Sequence, residues 1–444
     1  MGILMRIKRA FFRGHVELTE KQNKILNIVF FTTVIGSFIT LIGAILYLVC
    51  AFFAATNGSD AYSWVLQVFS DFTYITDVSL LESPYVPLLD EGSSYPPLAI
   101  AILFPFGLIC KGVYNLYDTT GIDTYTFNSK VVLHPEFWVA FMLFFFICST
   151  AVIITVIKKY KLPPMASLKT AIVILLCSPF IFAIMRGNTI YFAFIFIMLF
   201  LMLYEHKNPF IRELGYLCLV IAGLIKIYPL FFGVYLLHKK KIFASIRIAI
   251  YTFVLFFLSF FIYNGLSDIP LFINNLGGFA GDGTRLLKAN NLSISGLLFK
   301  AISLFTDITP DNQVYSIVNL GILALTFLVT TVAAVYTKSN FTRATLAAGI
   351  LALVPSISYF YILIFTFIPF MEFLRDFESM GKTRRTLYSV FFIFLFLTPT
   401  IIAQNYVIHS LIIATMLVTE CVRVFKNEMF KKRTKKEAPE LINV

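Results

Sequence analysis

Long apolar stretches, separated by short polar or charged breaks, recur along the chain from Ile25 to Val424. Most are near or above the length of about 20 residues that a helix needs to cross the hydrocarbon core of a bilayer. Backbone amides inside a bilayer must be satisfied internally, and the sequence lacks the alternating pattern of about ten residues that barrel strands show. The pattern therefore predicts an all-α fold, a polytopic transmembrane helical bundle with about ten to twelve membrane segments.

The apolar stretches differ in how regular they are. Two long stretches, interrupted at Pro229 and Pro355, have basic residues at both ends, so each is either a broken helix or a hairpin that returns to the cytoplasm. The stretch after Tyr95, broken at Pro105, leaves the same two alternatives open. The predicted spans are residues 25–55, 97–115, 136–157, 168–185, 188–205, 212–238, 242–263, 315–337, 343–374, 387–403 and 406–424.

The charges between the apolar stretches set the orientation. Residues 56–95 hold six carboxylates without one Lys or Arg, whereas both termini are basic. Since cytoplasmic segments carry the excess of Lys and Arg, we expect a multi-pass plasma-membrane protein with both termini in the cytoplasm. If the stretches 97–115 and 212–238 both cross the membrane or both turn back, the number of crossings before Lys239–Lys241 is even. Lys239–Lys241 is then cytoplasmic, and residues 264–292, after one more span, are expected outside together with 56–95. The predicted organisation is a cytoplasmic N-terminus (1–24), a membrane domain (25–424) with outer loops 56–95 and 264–292, and a cytoplasmic tail (425–444).

Composition excludes several other classes of protein. Of the 444 residues 59% are hydrophobic and 14% charged, which is more apolar than a soluble domain can bury. The formal net charge of +12 is explained by basic residues at membrane boundaries, so no nucleic-acid partner is predicted. The six cysteines lie in or beside apolar stretches as packing residues, and no metal-ligand spacing or nucleotide-binding motif stands out. No cofactor is predicted, and metal dependence is left open.

Four landmarks follow one another along the chain. They are the acidic segment ending in Tyr95-Pro96-Pro97-Leu98, then Arg186-Gly187-Asn188, then Gly215 to Pro229 ending in Ile225-Lys226-Ile227-Tyr228-Pro229, and Asn290-Asn291-Leu292-Ser293 before Gly296-Leu297-Leu298. Their order and spacing resemble glycosyltransferase family 87 of the GT-C superfamily, membrane enzymes that take a sugar from a polyprenyl-phosphate donor. That family includes polyprenol-phosphate-mannose-dependent mannosyltransferases. The resemblance runs from about Asp60 to about Pro369.

The chain also departs from the family pattern. Arg186-Gly187-Asn188 stands where the family often shows Gly-Gln-x-Asn, and Asn290-Asn291-Leu292-Ser293 stands where it often shows Asn-Gln-Ser. A His that is common in the family near residues 355–361 is absent here. These departures leave the reaction class standing and the sugar unidentified.

The resemblance implies transfer of a hexose from a polyprenyl-phosphate donor to an extracytoplasmic glycan or lipid acceptor by an inverting single displacement. The acceptor hydroxyl must lose a proton to a carboxylate while the lipid-phosphate leaving group gains negative charge. Asp71 is the expected base, with Asp60 as the stronger rival and Asp77 as the weaker one. From composition alone, these carboxylates also fit a solvated acidic loop.

Two cations are candidates for binding the donor phosphate. An ionised side chain in or beside an apolar stretch is costly, and neutralising a lipid phosphate offsets that cost for Arg186 and Lys226. Interfacial snorkelling is the alternative for Arg186, whereas Lys226 lies about 14 residues from the basic residues at Arg212 and Lys239. The residues expected to line the substrate cavity are Tyr95, Asn188, Tyr228, Asn290, Asn291 and Tyr359.

Two other functions compete with a transferase. A secondary transporter or a flippase for lipid-linked saccharides would also use broken helices and a buried Lys226, although no inverted repeat relates the two halves. A polysaccharide polymerase usually presents its large outer loop late in the chain, whereas the acidic loop comes first here. The carboxylate-rich first outer loop favours the glycosyltransferase.

Overall fold

A computed structural model of the chain describes residues 14–55, 69–86, 92–117, 124–281, 291–306, 313–397 and 407–430. Within these ranges the chain forms helices and short turns and contains no strand, which confirms the predicted all-α class. The helices are α1 (Glu20–Ala55), α2 (Ser70–Val78), α3 (Pro97–Ala101), α4 (Phe104–Tyr114), α5 (Thr124–Val131), α6 (Pro135–Tyr160), α7 (Pro164–Leu176), α8 (Ser178–Arg186), α9 (Ile190–Leu203), α10 (Pro209–Ile225), α11 (Val234–His238), α12 (Ile242–Ser259), α13 (Ile269–Gly281), α14 (Ile294–Ser303), α15 (Gln313–Tyr336), α16 (Asn340–Leu353), α17 (Phe367–Asp376), α18 (Lys382–Phe396) and α19 (Val407–Val424). Short 3₁₀ turns cover Tyr228–Gly233, Phe260–Ile262, Gly265–Asp268, Phe360–Thr366 and Phe377–Ser379.

Several of these helices are long and apolar enough to cross a membrane. In the part of the chain that the structure describes there are 5 such segments, or 6 if α7 and α8 form one bent span. A multi-pass membrane fold is therefore confirmed, while the expected number of ten to twelve segments stays a prediction. The five segments are Glu20–Gly43, Pro135–Tyr160, Ile242–Ile262, Gln313–Tyr336 and Val407–Phe430.

Helix α6 shows how the sequence defines the ends of a span. It begins at Pro135, whose missing N–H costs nothing in the first turn, and it carries Glu136 there. Lys158 and Lys159 lie in the last turn, where cations stabilise the negative end of the helix dipole. Lys161 then ends the helix in the left-handed conformation (φ 51°).

Proline interrupts four of the predicted spans. The span expected over 97–115 is divided near Pro105, which lies in the first turn of α4, after α3 has ended at Ala101. The span expected over 168–185 is bent by 51° between α7 and α8, because the ring of Pro179 cannot fit within a continuous helix. The interruption expected near Pro229 appears as the end of α10 followed by a 3₁₀ turn. The one expected at Pro355 appears as the non-helical residues 354–359 after α16.

The chain divides into two compact units. The first consists of Met1–Leu230, Ile246–Asp282 and Phe396–Gln404, and the second of Phe231–Ser245, Gly283–Leu395 and Asn405–Val444. In the first unit the ring of Phe72 is completely buried. It packs against four rings from α4 and α6 at centroid distances of 5.3 to 6.0 Å, namely Phe106, Phe137, Phe141 and Phe144. This aromatic core fixes α2 in the first unit.

The second unit is held together by a buried carboxylate on α19. Glu420 has no exposed surface, and it accepts hydrogen bonds from Arg384 Nη2 (2.6 Å) and Arg423 Nε (3.0 Å). The hydroxyls of Thr342 and Tyr388 also donate to it, each at 2.7 Å. A buried charge is tolerated only when it is paired and hydrogen-bonded in this way. The cluster joins α16, α18 and α19.

Glu420→Gln tests this cluster. Glutamine has the size of glutamate but no charge, so Arg384 and Arg423 lose their shared counter-ion and the free energy of unfolding should fall by about 3–5 kcal/mol. Glu378→Gln is the matched control, because Glu378 is 41% exposed beside Arg385 and such surface pairs contribute about 0–1 kcal/mol. Unfolding in detergent measures both variants; equal losses would contradict the role given to Glu420.

Candidate active site

Helix α2 lies inside the segment 56–95 that the sequence predicts as an acidic outer loop. It begins after Phe69, whose backbone is left-handed (φ 69°) and whose N–H donates to the carbonyl of Met185 at 2.6 Å. That conformation is unfavourable for a residue with a side chain. The ring of Phe69 packs edge-to-face on Phe137 and Phe141, which holds the residue in place. The start of α2 is therefore fixed against the end of α8.

Gly187 allows the two elements to approach. Its φ is +65°, and a Cβ atom added there would lie 2.2 Å from the Cβ of Phe72. Only glycine satisfies both the backbone conformation and the contact. The turn between α8 and α9 therefore packs directly on α2, one residue after Asp71.

This contact brings Asp71 between the residues that flank Gly187. Arg186 Nη2 donates to Asp71 Oδ1 at 2.5 Å, and Asn188 Nδ2 donates to Asp71 Oδ2 at 2.6 Å. The side-chain oxygen of Asn188 (Oδ1) accepts a hydrogen bond from the N–H of Ile190 at 3.0 Å. This bond turns the side-chain NH₂ of Asn188 toward the Asp71 carboxylate. The side chain of Asp71 is only 11% exposed, against 27% for Arg186. Asp71 is thus part of a packed charged cluster, and the expectation of a solvated loop carboxylate is wrong for it.

Lys226 joins the same cluster from the end of α10. Its backbone leaves the helix there, with φ −145° and ψ 128°, and its Nζ lies 4.1 Å from the ring centroid of Tyr95. Its ammonium lies within electrostatic range of both Asp71 and Arg186. Asp71, Arg186, Asn188, Lys226 and Tyr95 form what we call the Asp71 cluster, all within the first unit.

Tyr95, the aromatic residue of the Asp71 cluster, interacts electrostatically with the charged residues around it. Burial and then the negative charge of Asp71 raise the pKa of Tyr95 well above its usual value, while Arg186 acts in the opposite direction. Tyr228, two residues after Lys226, also interacts electrostatically with Tyr95. The Tyr95 hydroxyl is therefore neutral at physiological pH.

The other expected cavity residues lie in the second unit or beyond the described ranges. Asn291 is buried, and its Oδ1 accepts from the N–H groups of Ser293 and Ser358, each at 3.1 Å. Its Nδ2 donates to the carbonyl of Ser356 at 3.2 Å, so the side chain ties 291–293 to 356–358. Tyr359 stacks at a tilt on Tyr361, with 5.9 Å between ring centroids. Asp60 and Asn290 lie outside the described residues.

Asp77 occupies a different environment from Asp71 on the same helix. Its side chain is buried, and burial raises its pKa to about 7. Its Oδ2 has no hydrogen-bond partner among the residues that the structure describes. This burial could not be predicted from local sequence, because both carboxylates lie in the same acidic segment.

The model of glycosyltransferase family 87 matches residues 94–357, which make up more than half of the chain. The chain belongs to glycosyltransferase family 87. Comparison with curated proteins and with solved structures gives no match. Membership establishes a membrane glycosyltransferase with a sugar donor and an acceptor, and it disfavours the transporter alternative. In this family 87 chain the matched region contains Tyr95, Arg186, Asn188 and Lys226 of the Asp71 cluster. Asp71 lies outside the matched region and is assigned to the cluster by its contacts alone.

The burial of Asp77 predicts a pH-dependent stability for this glycosyltransferase. The native pKa of about 7 exceeds the value of about 4 in an unfolded chain. The stabilisation is therefore complete below about pH 4 and is lost as the pH rises through 7, at about 1.4 kcal/mol per pH unit between those values. Asp77→Asn removes this titration, so the difference in unfolding free energy between variant and parent should change with that slope. Parallel stability curves would rule out a buried, protonated Asp77.

Proposed function

We propose that this glycosyltransferase transfers a hexose from a polyprenyl-phosphate donor to an extracytoplasmic glycan or lipid acceptor of the cell envelope. The observation that carries the proposal is the Asp71 cluster. It combines one carboxylate, held by Arg186 and Asn188, with a second cation at Lys226. Those are the groups that an inverting displacement on a sugar phosphate requires.

Asp71 is the proposed general base. The oxygen of the acceptor hydroxyl attacks the anomeric carbon, and the hydroxyl proton passes to the Asp71 carboxylate. The bond from the anomeric carbon to the phosphate oxygen breaks. The electron pair of that bond leaves with the polyprenyl phosphate, and the anomeric configuration inverts. Each Asp71 oxygen has a second lone pair beyond the one that Arg186 or Asn188 occupies, so the carboxylate keeps a place for the acceptor proton.

Arg186 and Lys226 are the proposed ligands of the donor phosphate. With Asp71 ionised, the three side chains sum to one positive charge. A glycosyl phosphodiester carries one negative charge, and the departing phosphate monoester gains a second. Cations held in a largely dehydrated site stabilise that developing charge more strongly than water does. The Tyr95 ring packs on Lys226, with its centroid 4.1 Å from Nζ.

The proposed location is the cell membrane, with the termini in the cytoplasm and the Asp71 cluster served from the outer side. Support comes from the charge asymmetry, since residues 56–95 contain carboxylates and no Lys or Arg. The polyprenyl chain of the donor is a lipid and would reach the enzyme from within the bilayer. The acceptor would approach from the extracytoplasmic side.

Reporter fusions test this orientation. A reporter joined after Glu91 or Gly278 should read extracytoplasmic, and one joined after Lys240 or Lys436 should read cytoplasmic, because the basic segments stay inside. Alkaline phosphatase and green fluorescent protein give opposite signals on the two sides. A cytoplasmic signal at Glu91 would overturn the arrangement.

Asp71→Asn tests the catalytic assignment. The amide keeps the shape of the carboxylate but cannot accept the proton, so kcat for transfer from polyprenyl-phosphate hexoses should fall by roughly 10²–10⁴-fold. Because Arg186 also loses its counter-ion, some loss of stability is expected as well. Activity must therefore be measured on folded protein, with the fraction folded determined by size-exclusion chromatography.

Two companion variants separate the roles. Asp77→Asn makes the same substitution on the same helix and should retain nearly normal transfer. Lys226→Met removes a phosphate ligand while keeping much of the apolar stem, so it should raise KM for the donor. If Asp71→Asn and Asp77→Asn transfer sugar equally well, Asp71 is not the base.

A further inference from the structure

A second polar cluster of the first unit holds the segment that leads into Tyr95. Asn275, on α13, directs its side-chain amide at two backbone carbonyls of that segment. Its Nδ2 donates to the carbonyl of Tyr85 at 2.9 Å and to the carbonyl of Ser93 at 3.3 Å. One side chain therefore binds both described parts of the segment, residues 81–86 and 92–96.

The residues around Asn275 strengthen this attachment. Ser83 donates its hydroxyl to Asp268 Oδ1 at 2.7 Å, and Asp268, completely buried, stands immediately before α13. The ring of Tyr85 packs on Phe260 and Phe272 at centroid distances of 5.8 and 5.5 Å. The segment is thus fixed to α13 by a carboxylate, an amide and an aromatic contact.

The same residues reach Tyr95 directly. The Tyr85 hydroxyl donates to the carbonyl of Tyr95 at 3.2 Å, and the N–H of Tyr95 donates to the hydroxyl oxygen of Ser93 at 3.2 Å. Both backbone polar groups of Tyr95 are therefore held by residues that α13 anchors. On the other side of that backbone, the Tyr95 ring lies 4.1 Å from Lys226 Nζ.

Gly92 shows how close the attachment is. A Cβ atom at this position would lie 2.2 Å from the carbonyl oxygen of Tyr85 and 2.4 Å from Asn275 Nδ2. Any larger residue must push the segment away from α13. By contrast, a Cβ atom at Gly278, on α13 itself, meets nothing within 4 Å.

We propose that Asn275 is a positioning residue for sugar transfer, which acts by fixing Tyr95 against Lys226. The inference rests on the proposed function, in which Lys226 binds the donor phosphate. Lys226 lies beyond the last turn of α10, so its ammonium depends on side-chain contacts for its position. Loss of the anchor would let Tyr95 and then Lys226 shift, and displacement of a substrate-binding group by about 1 Å can cost about 10²-fold in rate.

Asn275→Asp tests the proposal, because aspartate has the same shape but cannot donate to the two carbonyls. Asn274→Asp is the matched control, since Asn274 is its exposed neighbour on α13. Gly92→Ala disturbs the same contact by bulk, with Gly278→Ala as its control. With polyprenyl-phosphate mannose and polyprenyl-phosphate glucose as donors, we expect kcat/KM to fall roughly 10- to 100-fold in the first variant of each pair, mainly through donor KM. The controls should stay within about twofold of the parent.

Hydrogen exchange supplies a readout that does not depend on activity. Amides of residues 83–86 and 92–96 should exchange faster in Asn275→Asp and Gly92→Ala than in their controls. Unchanged exchange would overturn the anchoring, and faster exchange with unchanged donor kinetics would overturn the positioning role. Failure of the proposed function is a separate result, because it appears as equal transfer by the parent and by Asp71→Asn.

A double-mutant cycle distinguishes positioning from general destabilisation. If Asn275 acts through the Tyr95 ring, Asn275→Asp should cause almost no further loss once Tyr95→Ala has removed that ring. If the loss of kcat/KM in the double variant equals the product of the losses in the two single variants, Asn275 does not act through Tyr95, and the proposal is overturned.

Discussion

Asp71 carries a charge that is almost entirely removed from water, and the surrounding structure depends on how that charge is stabilised. A buried carboxylate needs donors on both oxygens, since an unpaired buried charge costs several kcal/mol. The donors are Arg186 and Asn188, which stand on either side of Gly187. The absence of a side chain at Gly187 lets Phe72 close the contact. The aromatic core around Phe72 thus determines where the charged residues of the site lie.

The guanidinium of Arg186 has a geometry that suits more than one partner. It presents five N–H groups in a planar fork, and one nitrogen is engaged with Asp71. The same planar fork also suits a phosphate group, which is why Arg186 is the proposed ligand of the donor phosphate. In that proposal one side chain would hold the proposed base and the leaving group at a fixed separation. Lys226 offers a compact charge instead, and its Nζ lies 4.1 Å from the centroid of the Tyr95 ring.

Local sequence features predicted the helices, the broken spans and several members of the site. Pro229 and Pro355 interrupt apolar stretches, and proline prevents a continuous helix for a reason that is local to the chain. Arg186 and Lys226 were expected at the site because charged groups in or beside apolar stretches are costly unless they have a function. Asn188 was expected there from the resemblance to the family. Their convergence on Asp71 confirms that they lie together, while their roles stay predictions.

The features that the sequence did not predict depend on contacts between distant residues. Asn274 and Asn275 are the same residue type on the same helix, yet only Asn275 reaches Tyr85, 190 residues away in sequence. Asp71 and Asp77 likewise share a short acidic helix, but Asp71 accepts a hydrogen bond from Arg186, whereas Asp77 Oδ2 has no hydrogen-bond partner within the described ranges. The two members of each pair are the same residue type on the same helix. Their different contacts follow from the packing of α2 and α13 against residues that are distant in sequence.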